Sequence, residues 1–315
     1  MTRKKDLFKV KFRGVRGSYP TPDSNKLKYG GNTACVEVQV GNHLIILDAG
    51  TGIINLGEEL LREHILTGSD IASREPISLT ILVSHSHLDH LMGLPYFKPI
   101  FISSSKINIF GMSAYSKCFK DIIAESIFAP FFPLDFEELS ASVNLNDILE
   151  NKIIILKQDN PEPIVMRSNS FDDAEITSDD VVIHCFKSYA HPKDGVLVYK
   201  ICYKNRSMVY STDKESYAGG DIRLINFARN ADLLIHDAQY TTDDYTSPVM
   251  PRQGFGHSTP KMAVDSAQKA NVKRLILFHI DPTYDDEKVE KIETEVQSLF
   301  ENAHVAYENM EISLR

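Results

Sequence analysis

Four side chains within six positions, His85, His87, Asp89 and His90, stand directly behind the apolar run Leu79 to Val83. Imidazole and carboxylate are the donors that hold Zn2+, Mn2+ or Fe2+. Residues i and i+2 of an extended segment project to one side, so His85 and His87 converge on one ion. The turn that follows lets Asp89 and His90 face a second. A polar loop that merely happens to be rich in histidine is the alternative, and three His and one Asp behind a buried strand argue against it.

Such a cluster needs rigid elements behind it. Phe8, Val10 and Phe12 alternate with Lys9, Lys11 and Arg13, the period of a half-exposed strand. The Gly- and Pro-containing segment 14–33 reads as an ordered loop. Val36, Val38 and Val40 alternate with polar residues, turn at Gly41-Asn42 and return as Leu44 to Leu47, a hairpin that feeds the core and ends at Asp48. The spacing of Ile54, Leu56, Leu60, Leu61 and Ile65 predicts a helix over 53–66. Residues 113–139 carry a helix and then a Phe- and Pro-rich stretch at 128–136. That stretch reads as packing of an inserted lid, with a pocket wall or a dimer contact as alternatives. Residues 157–180 are polar and acidic and read as a mobile insertion. Strand signals then return at 181–187, 196–203, 207–211, 232–236 and 273–278, with helical signals at 219–229, 260–270 and 285–300. Strands first, then strands alternating with helices, favour layered sheets covered by helices.

The string HSHLDH at 85–90 resembles the HxHxDH signature of the metallo-β-lactamase superfamily, and the rest of that pattern follows in order. Tyr189-Ala-His-Pro, with Gly195 and Tyr199 behind it, is similar to the second histidine motif. By that resemblance His191 is the third ligand of the first metal. Val209-Tyr-Ser-Thr-Asp is similar to the strand whose terminal carboxylate, here Asp213, bridges both metals. Leu277-Phe-His-Ile-Asp resembles the strand that delivers the last ligand, His279. Two further motifs, Ile235-His-Asp-Ala-Gln-Tyr and Gly256-His-Ser-Thr-Pro, resemble those of ribonuclease Z-like phosphodiesterases. There an acidic residue orients a histidine that protonates the leaving group, which carries over to Asp237 and His257; Asp89 counts with both the ligands and the catalytic groups. The resemblance runs from Gly14 to Pro282. It implies an α/β fold, an αββα four-layer sandwich of two mixed sheets flanked by helices. Three features depart from the pattern. The basic arm of ribonuclease Z is missing and the comparable insertion is acidic, Asp237 stands where relatives often have Glu, and no flavodoxin-like domain follows.

Composition bounds the function. The chain has 315 residues, 43% hydrophobic and 24% charged, which suits a soluble protein with a real core. A net charge of −9 argues against binding that depends on neutralising many phosphates. No apolar run approaches the roughly 18 residues of a membrane span, and the basic start lacks the apolar core of a signal peptide. Four cysteines without CxxC spacing point to a reduced, cytoplasmic setting. The expectation is one metallo-hydrolase domain over 1–315, with an insertion or lid at 113–180, acting as a dinuclear phosphodiesterase. Its cofactors are two divalent ions, Zn2+ first and Mn2+ or Fe2+ as alternatives, whose bridging hydroxide attacks a small phosphodiester such as a cyclic nucleotide. Long nucleic acid and membrane are not expected partners, and a homodimer is an alternative to the monomer. The competing readings are an RNA-processing nuclease, an ester or lactone hydrolase, and an iron-dependent oxidoreductase. Asp48 reads equally as support for a ligand histidine or as a strand-end turn residue, and Asp281 likewise. His236 reads as a packed core histidine. His257 precedes Thr259-Pro260, a helix start, which is the structural alternative to its catalytic role. His43, His64, His184 and His304 lie outside every motif.

Overall fold

The computed structural model describes residues 7–168, 176–217 and 219–314. Its first sheet is built from β1 (Phe8–Gly14), β2 (Cys35–Val40), β3 (His43–Leu47), β4 (Ser78–Leu82), β5 (Lys106–Gly111) and β6 (Ser142–Asp147) in that spatial order. Pairing is antiparallel from β1 to β3 and parallel from β3 to β6. The second sheet contains β7 (Lys152–Leu156), β8 (Ile164–Arg167), β9 (Val181–Ser188), β10 (Val196–Tyr203), β11 (Arg206–Ser211), β12 (Leu233–Asp237), β13 (Leu275–Phe278) and β14 (Ala303–Val305). Antiparallel pairs run from β8 through β7, β9 and β10 to β11, and parallel pairs from β11 to β14. A short β15 (Glu311–Ser313) returns to pair with β1.

Period-two burial explains the layering. Phe8, Val10 and Phe12 of β1 face inward, meeting Val36, Leu47, Tyr199, Tyr210, Ile235 and Phe278 in one core between the sheets. The opposite faces bury helices. Ile53 and Leu56 of α1 (Gly52–Leu66) and Phe119 and Ile123 of α2 (Phe119–Ile127) pack on Ile46, Leu79 and Ile81. On the second sheet, α3 (Ile222–Phe227) precedes a one-turn α4 (Thr242–Tyr245), and α5 (Pro260–Ala270) and α6 (Asp286–Leu299) follow. Leu224, Ala263, Val264, Val289 and Val296 of α3, α5 and α6 cover Val198, Val209, Leu234 and Leu277. The starts of α5 and α6 carry side-chain caps, with Thr259 accepting from the Met262 N–H ahead of Pro260, and Asp285 from that of Lys288. This is the four-layer αββα arrangement.

Several elements differ from the sequence reading. β5, β6, β7, β14 and β15 were not anticipated. The polar stretch 157–180, read as a mobile insertion, contains β8, which pairs with β7 from Lys152↔Arg167 to Ile155↔Ile164. Its most acidic part, Asp172, Asp173 and Glu175, lies outside the described residues. The Phe-rich stretch packs on itself: Phe128 is buried edge-on against Phe136 at 5.5 Å and Phe132 at 6.2 Å, and Phe132 meets Tyr96. Among the described residues no helix is long and apolar enough to cross a membrane.

What this topology does for function is set by strand direction. β3, β4, β9, β11, β12 and β13 all deliver their C-terminal ends to one edge of the sandwich, and Asp48, His85, His191, Asp213, Asp237 and His279 stand at or just past those ends.

Candidate metal centre

The backbone bends sharply where these strands stop. Asp48, Asp213 and His279 adopt φ of 60°, 48° and 60°, a left-handed conformation that non-glycine residues rarely take and that concentrates at functional sites. Each bend turns a side chain off its strand toward a common centre. Gly17 is required there for space: a Cβ would meet the His279 ring at 2.4 Å. At Gly256, with φ 89°, a Cβ would meet His191 Nδ1 at 2.3 Å.

Hydrogen-bond partners assign the histidine tautomers. His90 Nδ1–H donates to Asp48 Oδ2 at 2.8 Å. His191 Nδ1–H donates to the Gly256 carbonyl at 3.1 Å. His279 Nδ1–H donates to Gln239 Oε1 at 3.1 Å, the amide being oriented by its own bond to Ser18 Oγ. His85 Nδ1–H donates to Ser84 Oγ at 3.1 Å, and that hydroxyl donates onward to Asp48. Each Nε2 is therefore left as a lone pair, and all four aim at the same space.

Asp213 divides that space in two. Its Oδ2 lies 3.6 Å from His85 Nε2 and 3.9 Å from His191 Nε2. Its Oδ1 lies 3.2 Å from both His90 Nε2 and His279 Nε2. His90 Nε2 and His279 Nε2 are themselves 3.2 Å apart, and Asp89 Oδ2 is 3.1 Å from the latter. The donors form one group of His85, His87, His191 and Asp213 and another of Asp89, His90, Asp213 and His279, while a third, overlapping set joins Asp237 and His257 to Asp213 and His279. A tetrahedral ion with ligands at about 2.0–2.1 Å holds its donors about 3.3–3.4 Å apart, and the separations here, 3.1–3.9 Å, bracket that value. His85 Nε2, buried without a hydrogen-bond partner, is an orphan that a cation satisfies. The residues fit two divalent ions.

Electrostatics agree with that fit. Burial, reinforced by the charge of His90, keeps His85 well below its ordinary pKa, and burial takes His191 down to about 4, so both offer lone pairs at neutral pH. At His90 burial is outweighed by Asp213, Asp89 and Asp48, which raise its proton affinity well above normal. The field that draws a proton there is the field that draws a dication. His87 is the one exposed member of the cluster, its Nδ1 3.1 Å from His191 Nε2, at the rim.

His257 and Asp237 sit beside these groups. His257 Nδ1–H donates to Asp237 Oδ2 at 2.8 Å, so a carboxylate one methylene shorter than Glu reaches the ring. The His257 ring stacks 5.1 Å from His279 and stands edge-on 5.2 Å from His191. Burial opposes its protonation, but the charge and hydrogen bond of Asp237, with Asp213 and Asp89, raise its pKa to about 8. Thr259 and Pro260 do open α5, so the helix start and the paired histidine coexist.

The structure brings every sequence-derived candidate to this one edge and resolves the open alternatives. Asp48 stands behind the candidate ligand His90: fully buried, it accepts from His90, the Ser84 N–H and hydroxyl, and the Tyr210 hydroxyl. Asp281 is a turn residue, accepting from Thr283. His236 is packed in the core between Ser216 Oγ and the Asp237 carbonyl. Ser18, Gln239, Tyr210 and Glu215 were missed by sequence reasoning. The Ser18 N–H, for example, donates to Asp89 Oδ2 at 2.7 Å. Partners of metal-binding histidines typically govern 10–100-fold in metal affinity. Asp48→Asn is therefore expected to weaken metal binding by roughly that factor, read by competition against a chromogenic chelator; unchanged affinity would remove Asp48 from this role.

Residues 135–280 match the β-lactamase superfamily domain. A diphosphatase from the PhnP family superposes with a TM-score of 0.65 at 16% identity, covering 98% of each chain. The short form of human tRNase Z superposes with a TM-score of 0.60 at 19% identity, covering 98% of this chain and 99% of its own. The fold is that of the metallo-β-lactamases, and with the donor set it defines a metal-dependent hydrolase of that type. A ribonuclease Z of Picrophilus torridus is 26% identical over 332 aligned positions, spanning 98% of this chain and 96% of its own. Along nearly its whole length the chain is thus similar to ribonucleases Z, and it shares the metallo-β-lactamase fold.

Proposed function

We propose that this protein is a cytoplasmic, dinuclear metal-dependent phosphodiesterase whose substrate is a small phosphodiester, a cyclic nucleotide or a comparable short diester. The observation that carries the reading is a histidine held by a buried carboxylate beside two donor groups that share Asp213. His85, His87, His191 and Asp213 would hold one ion, and Asp89, His90, Asp213 and His279 the other, with Zn2+ the first choice and Mn2+ or Fe2+ the alternatives. Such ions, when bound, supply Lewis acidity and an activated water.

The chain's own residues do the rest. Asp213 offers one oxygen to each group and so fixes their separation. Asp237 holds the His257 Nδ1–H and keeps the ring charged at neutral pH, which leaves the Nε2 proton for the departing alkoxide. Having given up that proton, His257 is neutral and recovers it from solvent. An acidic protein can attract an anion in this way because positive charge is concentrated at one point instead of spread over a basic surface. The four free cysteines suit the cytoplasm.

A second reading, an RNA-processing nuclease, is favoured by the ribonuclease Z similarity along nearly the whole chain. Counterion release separates the two, since binding a polyanion through many contacts is steeply salt-dependent and binding one phosphodiester is not. Hydrolysis of bis(p-nitrophenyl) phosphate with added Mn2+ or Zn2+ is expected to exceed an Asp213→Ala control and to vary little with salt, with structured RNA left intact. No turnover above the control with any divalent metal sinks the phosphodiesterase reading. Salt-sensitive cleavage of structured RNA transfers the function to the nuclease.

A further inference from the structure

The turn after Asp213 carries a carboxylate that the reaction as derived leaves unused. Glu215 is 1% exposed. Its oxygens accept from the Gly254 N–H, at 3.0 Å to each, from the Gly256 N–H at 3.2 Å, and from the Tyr245 hydroxyl. Its own N–H donates to the Ala190 carbonyl at 3.1 Å. Ala190 precedes His191, and Gly256 precedes His257. One side chain therefore pins the irregular loop that presents His257, while its backbone ties that loop to the one presenting His191.

The loop needs this support. Residues 251–258 belong to no helix or strand, and Gly254 and Gly256 sit at φ 82° and 89°, where their N–H groups find no ladder partners. Neighbouring contacts complete the cradle: the Ser258 hydroxyl donates to the Lys214 carbonyl at 2.6 Å and accepts from the Ser216 N–H at 2.8 Å. Ser258 N–H donates to Asp237 Oδ1 at 2.7 Å. Lys214, Glu215 and Ser216 thus form a template against which residues 254–258 are laid.

We propose that Glu215 is a positioning residue for proton delivery, holding the Gly254–Gly256 backbone so that His257 meets the leaving oxygen. The proposal rests on the reading of His257 as the proton donor. Proton donation matters in proportion to the basicity of the leaving group, so a misplaced donor slows poor leaving groups and spares good ones. Loss of a structural prop would slow both alike.

The test compares the metal-loaded wild type with Glu215→Gln and His257→Ala on methyl p-nitrophenyl phosphate and methyl phenyl phosphate. Glu215→Gln sets an NH2 against backbone N–H donors while keeping size. It is expected to lose about 10-fold on the phenyl ester and less than about 2-fold on the p-nitrophenyl ester, the loss from a sub-ångström displacement of a catalytic group. His257→Ala is expected to show the same split, larger. Equal losses on both esters, or none, for Glu215→Gln overturn the proposal while a split in His257→Ala leaves the donor reading standing. Equal losses for His257→Ala overturn the donor reading and this proposal with it. If Glu215→Gln does not fold, Tyr245→Phe, which removes one donor from the same carboxylate, decides by the same split in milder form.

Discussion

Asp213→Ala is expected to lower turnover by on the order of 10^3-fold or more, well beyond the 10–100-fold that a supporting partner of a ligand commands. The reason is its double duty. Oδ2 belongs with His85 and His191, Oδ1 with His90 and His279, so one truncation strips a ligand from both groups. Truncation also removes the buried negative charge that would compensate two cations; the histidines hold Asp213 well below the carboxylate range despite burial. The effect is checked by steady-state rates on a phosphodiester with saturating metal, alongside circular dichroism to establish that the variant is folded. A loss under 10-fold would mean that the two groups do not depend on a shared carboxylate.

His257→Ala is expected to cost about 10^2–10^4-fold on a diester with a poor leaving group, the range for a well-placed general acid. Its pH signature is the sharper readout. A general acid must be protonated to act, and Asp237 raises the His257 pKa, to about 8 before any cation binds, so activity falls as pH rises through the value the loaded site sets. Cations bound alongside would pull the limb below 8. The alanine variant should lack this limb altogether, and a wild-type limb that persists in it assigns the proton to another group. The same shift bears on folding. A histidine whose pKa is higher folded than unfolded contributes stability that is fully present below about 6.5 and fades as pH rises through the folded value.

How far the sequence reaches is clearest in particular residues. HSHLDH is legible because four donors lie within one turn of chain, and its meaning needs no tertiary information. His191, Asp213 and His279 are legible only through the resemblance of their motifs to those of a known family, since strands scattered across the second sheet bring them together. Gln239, Ser18, Tyr210 and Glu215 carry no local signal at all. They act through long-range hydrogen bonds, such as Tyr210 to Asp48 across 162 positions. Asp48 was ambiguous for the same reason, until His90 and Ser84 proved to be its partners. In the fold, β1 and the β2–β3 hairpin were legible from alternation. β15 is three residues long, and β8 exposes Ile164 and Val165 within a polar stretch, so neither stands out from its surroundings.

The claim on which the rest depends is that these donors form two cation sites sharing one carboxylate. Chelator-treated protein, titrated with Zn2+ or Mn2+ and freed of excess, should carry two equivalents per chain by elemental analysis. His85→Ala and His279→Ala should each retain one. Wild-type protein that saturates at a single equivalent, or that binds none, would contradict the account.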